Sequence, residues 1–173
     1  YHQVTGGADL DTFIETILEN NGAMVSTVEK MRIGVAPGGM SPAADMDTGG
    51  ASYFFTRLRK LPPQGKPTTA GLYFKKQLLR RMDAVSYDHD AFGRVTDDYV
   101  RRRRGSQPAE WKQFAQSGSN ETIFKYSVTL LDNIETIVTR SQAERERVLK
   151  SFLGRGISAL PDGRKIADVV ISA

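Results

Sequence analysis

The chain has 173 residues, enough for one domain with its own core, and its 39% hydrophobic and 25% charged content is ordinary for a soluble globular protein. It contains no cysteine, which excludes disulfides, thiolate zinc sites and a cysteine nucleophile together, and its two histidines are too few for most structural zinc sites. The net charge is +4, no apolar run approaches the roughly 20 residues that cross a bilayer, and the start lacks both Met and a signal-like stretch, so the chain reads as a module of something longer.

Residues 1–5 read as a strand, broken by Gly6 and Gly7. Asp9 is placed to cap a helix in which Leu10, Phe13, Ile14, Ile17 and Leu18 recur at helical spacing and give one face to a core. Asn20, Asn21 and Gly22 stop it with a left-handed residue. Residues 34–50 form a Gly/Pro-rich loop, long for a compact domain, and such loops usually carry function or move. Residues 51–58 read as an aromatic strand, and 61–69 as a second loop. Residues 70–83 leave two readings open: Leu72, Tyr73 and Phe74 suit a strand, whereas Phe74, Leu78, Leu79 and Met82 suit a helix.

From Asp83 to Ser119 the pattern yields only short helical pieces, the basic run Arg101 to Arg104, and Trp111 with Phe114 on an amphipathic turn. A basic cluster of this kind, with Lys75, Lys76, Arg80 and Arg81 earlier in the chain, attracts polyanions and loses its hold as salt rises. A solvated loop or helix face is the plainer reading of the run. Order returns with strands over 121–127 and 134–139. Ser141 and Glu144 make a capping-box pair for a helix whose apolar face is Val148, Leu149 and Phe152 and which Gly154 closes. Pro161, Asp162 and Gly163 make a turn, and 165–172 reads as a final strand. With no internal repeat and no domain boundary, the expectation is a single α+β domain over residues 1–173.

Three segments hold residues suited to chemistry. Asn120-Glu121-Thr122-Ile123-Phe124-Lys125-Tyr126 sets a carboxylate at the head of a β-like run, where it can act on a ligand in an adjoining cleft. Tyr1-His2-Gln3-Val4-Thr5 opens the chain, and Ser52-Tyr53-Phe54-Phe55-Thr56-Arg57 lies between the two. Each residue also has a plain reading. Glu121 suits a solvated strand end, His2 an exposed terminus, Tyr53 amid Phe54 and Phe55 a core position, and Arg57 before Arg59 and Lys60 a solvated end.

In their order along the chain these segments resemble the ADP-ribosyltransferase fold, in the His-Tyr-Glu branch that includes the poly(ADP-ribose) polymerases and the DNA-targeting bacterial toxins. The Asn-Glu start of the third segment is similar to the polymerases' glutamate strand. Tyr53-Phe54 ahead of Arg57, and Tyr1-His2 with Thr5, look closer to the toxins. The resemblance implies a split pair of small mixed or antiparallel sheets flanked by helices, with NAD+ as substrate in a cleft between them and no metal. It makes Glu121 the carboxylate that stabilises a cationic ribose and orients or deprotonates the acceptor, which is what cleavage of the nicotinamide–ribose bond requires. His2, helped by Thr5, would hold a ribose hydroxyl; Tyr53, preceded by Ser52, would stack on nicotinamide; Arg57 would bind pyrophosphate or neutralise charge near the leaving group.

The chain also departs from the family pattern. Gln3 and Val4 stand where many members place a small residue and then Ser or Thr, and Ser119 stands where the arginine-modifying branch has an acid. Arginine is therefore not the expected acceptor, and single transfer is expected rather than polymer growth. The resulting expectation is an NAD+-dependent mono-ADP-ribosyltransferase, an effector or toxin module acting on a nucleic acid or protein. It would be soluble, with no membrane partner, cytoplasmic or delivered, and open to an antitoxin or immunity protein. An NAD glycohydrolase, with water as acceptor, and a non-catalytic basic nucleic-acid-binding module are the alternatives. Tyr87-Asp88-His89-Asp90 with Asp97 and Asp98 reads as polar loop rather than a metal site, and the loop from Gly34 to Gly50 lacks the Gly-Lys-Ser/Thr ending of a phosphate loop.

Overall fold

A computed structural model describes residues 1–2, 9–32, 46, 50–59, 69–81, 83–87, 115–116, 120–125 and 127–173. The architecture is α+β. In chain order the elements are α1 (Leu10–Glu19), β1 (Ala23–Val25), α2 (Thr27–Arg32), a 3₁₀ turn (Gly50–Ser52), β2 (Tyr53–Thr56), β3 (Gly71–Phe74), a second 3₁₀ turn (Lys76–Arg80), β4 (Val85–Tyr87), β5 (Glu121–Lys125), β6 (Ser127–Thr129), α3 (Leu130–Asn133), β7 (Ile134–Thr139), α4 (Gln142–Leu153), α5 (Ile166–Val169) and β8 (Val170–Ser172). The chain forms two compact units: Tyr1–Met24 with Leu61–Lys75 and Thr129–Ala173, and Val25–Lys60 with Lys76–Val128. Among the described residues no helix is long and apolar enough to cross a membrane.

The first unit holds a three-stranded sheet in the order β3-β7-β8, antiparallel between β3 and β7 and parallel between β7 and β8. Its middle is hydrocarbon, with Leu72, Ile137, Val138 and Val170 all fully buried. Helix α1 buries Leu10, Ile14, Ile17 and Leu18 of the face its spacing predicts, leaves Phe13 half-buried, and stops where Asn21 and Gly22 turn left-handed at φ 53° and 73°. It lies along α4 in the same direction: Arg147 meets Asp11 at 2.9 Å, Ser151 meets Glu15 at 2.9 Å, and Arg155 meets Glu19 at 3.2 Å. The partners advance together by one helical turn, so only parallel neighbours can make all three contacts.

Several local expectations are corrected in this unit. Asp9 occupies the position before α1 but makes no capping bond with its side chain. The Leu10 amide instead donates to the Glu144 carboxylate at 3.3 Å, from a helix distant in sequence. Half of the expected capping box forms, with the Glu144 amide donating to Ser141 Oγ at 3.2 Å; the returning carboxylate takes the Arg140 amide rather than that of Ser141. Val148 and Phe152 are fully buried, whereas Leu149 is only half-buried. Gly154 closes α4 as its position predicts, in right-handed geometry, and the left-handed residue is Gly156. Residues 165–172 are not one strand. Ile166, Val169 and Val170 all enter the core, and their spacing is met by a helical turn before β8 begins. Over 70–83 both open readings are partly realised, strand β3 first and then the turn Lys76–Arg80.

The second unit holds an antiparallel sheet in the order β2-β5-β4. The expected strand over 51–58 is narrower, because Gly50–Ser52 is a 3₁₀ turn and pairing starts at Tyr53. The expected strand over 121–127 ends at Lys125, and β6 resumes at Ser127. The junction is held by Arg81, which grips Asp83 at 2.6 and 2.8 Å, donates to Ser127 O at 2.8 Å and lies over the Phe124 ring. Asp83 in turn accepts the Lys125 amide at 3.0 Å. Burial works to raise its carboxyl pKa, but the Arg81 guanidinium and the backbone N–H groups outweigh it and hold the pKa below the ordinary value.

Candidate active site

The register of the second unit's sheet decides which residues share a face. Tyr53 pairs with Lys125, Phe55 with Ile123 and Val85 with Ile123, while Tyr87 pairs with Glu121. Paired residues in an antiparallel sheet project to the same side, and alternate residues along a strand do so too. One face therefore carries Tyr53, Phe55, Ile123, Val85 and Tyr87, which form an apolar cluster, with Glu121 at one end. The opposite face carries a row of hydroxyls. Thr56 Oγ1 donates to Thr122 O at 2.8 Å, and Ser86 Oγ and Thr122 Oγ1 share a hydrogen bond of 2.9 Å, all of it buried. Burying these groups is tolerable only because they are paired with one another.

The ladder between β2 and β5 runs from Tyr53↔Lys125 to Thr56↔Thr122. Continued by one residue, that register would set Arg57 opposite Glu121. The step after that is closed by a side chain: the Leu58 amide donates to Asn120 Oδ1 at 2.7 Å, and Asn120 Nδ2 donates to Leu58 O at 3.0 Å. The Asn120 amide thus imitates the next rung of the sheet and pins the chain on both sides of Arg57. Glu121 is 9% exposed, whereas Arg57 is exposed. A carboxylate at the head of a central strand, largely out of water and facing a guanidinium-bearing neighbour, can stabilise a developing positive charge with little screening.

The Thr56↔Thr122 pair and the Leu58–Asn120 rung therefore bracket Arg57 and Glu121 on neighbouring strands. Tyr53 lies on the Glu121 face but at the far end of the ladder, four residues along, or about 13 Å at the usual strand rise. Phe55, half-buried on the same face, stands between them and is nearer to Glu121 than Tyr53 is, while the buried Tyr87 pairs with Glu121 directly. Period-two alternation back from Arg57 is the sequence signal that marks Phe55. Ser52 is half-buried in the 3₁₀ turn just ahead of Tyr53.

His2 belongs to the first unit. It forms a bridge with Leu72, donating to Leu72 O at 2.8 Å and accepting from Leu72 N at 2.9 Å, so it extends the edge of β3. Its ring stacks on Phe13 at 5.5 Å between centroids. The approach depends on Gly71, whose φ is 146°: a Cβ there would meet His2 O at 2.6 Å and the Tyr1 ring at 2.8 Å. Tyr1 packs beside Tyr73 and donates its hydroxyl to Ala70 O at 3.0 Å. Thr5, the loop 34–50 apart from Met46 and Gly50, the run Arg101 to Arg104, Trp111, Phe114, Ser119 and the group Asp88 to Asp90 lie outside the described residues.

Asp9, Asp11 and Glu144 offer carboxylate oxygens within 4.8 Å of one another. Protein donors already occupy much of that group, since Arg147 holds Asp11 and the Leu10 and Arg140 amides take Glu144. It reads as the fastening of two helix starts. Compared with known proteins, the chain matches no family model, no curated protein and no solved structure.

Proposed function

We propose that the chain is an NAD+-dependent mono-ADP-ribosyltransferase, an effector or toxin module with a nucleic acid or protein acceptor. The observation that carries the reading is Glu121, buried at the head of a central strand, with Arg57 bracketed on the neighbouring strand by Thr56↔Thr122 and the Leu58–Asn120 rung, and with aromatic rings on the Glu121 sheet face. In the reaction the bond between the nicotinamide nitrogen and ribose C1′ breaks, and its electron pair leaves with neutral nicotinamide. The ribose is left as a cation, which the Glu121 carboxylate stabilises. A nucleophile on the acceptor then bonds to C1′ and loses its proton, with Glu121 orienting it or taking the proton. Arg57 steadies the pyrophosphate. The proposed roles of His2 and Thr5 at the ribose, and of Tyr53 and Ser52 at the nicotinamide, belong to the same reading.

The test is nicotinamide release from NAD+ labelled in its ADP-ribose part, with the purified chain alone and with cell lysate. Label on a macromolecule supports transfer, and nuclease or protease digestion names the acceptor class. Release without labelling would mean a glycohydrolase. Glu121→Gln keeps the shape and removes the charge, so turnover should fall by about 10²- to 10³-fold while the melting temperature holds. Full activity in that variant would sink the mechanism.

A further inference from the structure

Asn120 is 2% exposed, yet neither polar end of its amide is spent on ordinary strand pairing. Both reach Leu58, one to its N–H and one to its C=O, across 62 positions of sequence. Leu58 is also the residue that the β2–β5 register would set opposite Asn120. The side chain therefore completes a rung beyond the last backbone pair, and Arg57 is confined between that rung and Thr56↔Thr122. A guanidinium on a freely ending strand would spread over many positions. One pinned on both flanks keeps its backbone beside Glu121, and the ordering cost is met in folding rather than at the reaction.

We propose that Asn120 is a positioning residue that holds Arg57 in place against Glu121. The inference rests on the functional reading given above, and it makes a separable claim about how the two charged residues are coupled. If Asn120 acts through Arg57, its removal matters only while Arg57 is present.

The experiment is a double-mutant cycle read in two ways. In nicotinamide release, Asn120→Ala should lower kcat about tenfold with KM nearly unchanged, and Asn120→Ala added to Arg57→Ala should cost less than about twofold more. An equal loss in both backgrounds would mean general loosening of the sheet and would overturn the proposal, as would unchanged kcat. Asn120→Asp, of the same size, keeps the acceptor for Leu58 N–H and loses the donor to Leu58 C=O. It should fall between the wild type and Asn120→Ala, and it serves if the alanine variant does not fold.

The second readout needs no turnover. The side-chain ¹⁵Nε resonance of Arg57 should move on Glu121→Gln in the wild type and should lose most of that response in the Asn120 variants. A response of the same size in their presence would overturn the proposal. Absence of nicotinamide release in the wild type would remove the transferase reading, and the resonance would still decide the coupling.

Discussion

Strands β7 and β5 are each the middle strand of a three-stranded sheet, and they bury different things. Strand β7 puts Ile134, Ile137 and Val138 among other hydrocarbon side chains, and its buried Thr139 hydroxyl finds backbone oxygens at 3.0 and 3.1 Å. Strand β5 also buries Ile123 and Phe124, but beside them lie Thr122, Asn120 and the carboxylate of Glu121. Hydrocarbon burial stabilises without conditions of geometry, at roughly 25 cal/mol per Å². Polar burial is tolerated only with a partner for each group, so it needs a fixed register and a reason to persist. The first sheet is accounted for by the core it makes. The second buries polar groups that persist only because its register gives them partners.

The largest effect is expected in the hydrocarbon strand. Ile137→Ala should cost about 3 kcal/mol of unfolding free energy by urea denaturation, the usual size for a closed core position. A loss below about 1 kcal/mol would show that β7 is not the tightly packed member of the pair. In β5 a smaller and different effect is expected. Thr122→Val preserves shape but strands the buried Ser86 hydroxyl, and should cost about 1–2 kcal/mol. Adding Ser86→Ala should recover part of that loss, because no donor is then left unmatched. A double variant worse than the sum of the two single ones would mean that the hydroxyl row does not work as a pair.

The smallest effect lies in acid, and each unit supplies one carboxylate. Asp162 is held well below the ordinary carboxylate range, first by its hydrogen bond to Arg164 and then by Lys75 at 2.7 Å. Asp83 is also lowered, despite its burial. For a lowered carboxyl the stabilisation is full above the unfolded value of about 3.9 and is lost as pH falls through the folded one. Melting temperature should therefore drop below about pH 4, and the drop should be shallower in Asp162→Asn and in Asp83→Asn. Salt should weaken the Asp162 contribution more, since Asp162 lies at the surface. An acid limb unchanged in both variants would place the titrating groups elsewhere.

Much of the fold was legible because local periodicity controls it. The α1 face, the stop at Asn21 and Gly22, the span of β7 and the Ser141 cap all stand as their residues predict. Strands of three residues such as β1, β4 and β6 give too few positions for alternation to show, and α2 buries none of its residues, so it has no apolar stripe to read. Ile166 to Val170 misled because β-branched residues suit a strand, while packing required the spacing of a helical turn. In the candidate site, Glu121 was legible as a strand head. Phe55 and Asn120 were not, because one stands two residues from a more conspicuous tyrosine and the other finds its hydrogen-bond partner far along the chain.

Local residue patterns set the α+β class, the helical faces and the strand-head position of Glu121, since each depends on residues within a few positions of one another. Long-range packing decided that Arg57 follows the strand paired with that of Glu121, that Tyr53 stands at the other end of the ladder, that Asn120 finishes the rung at Leu58 and that Glu144 caps a helix begun at Leu10. Those pairings join segments 60 or more residues apart. Their register is set by which buried faces and polar groups can be satisfied together, and no local propensity encodes that.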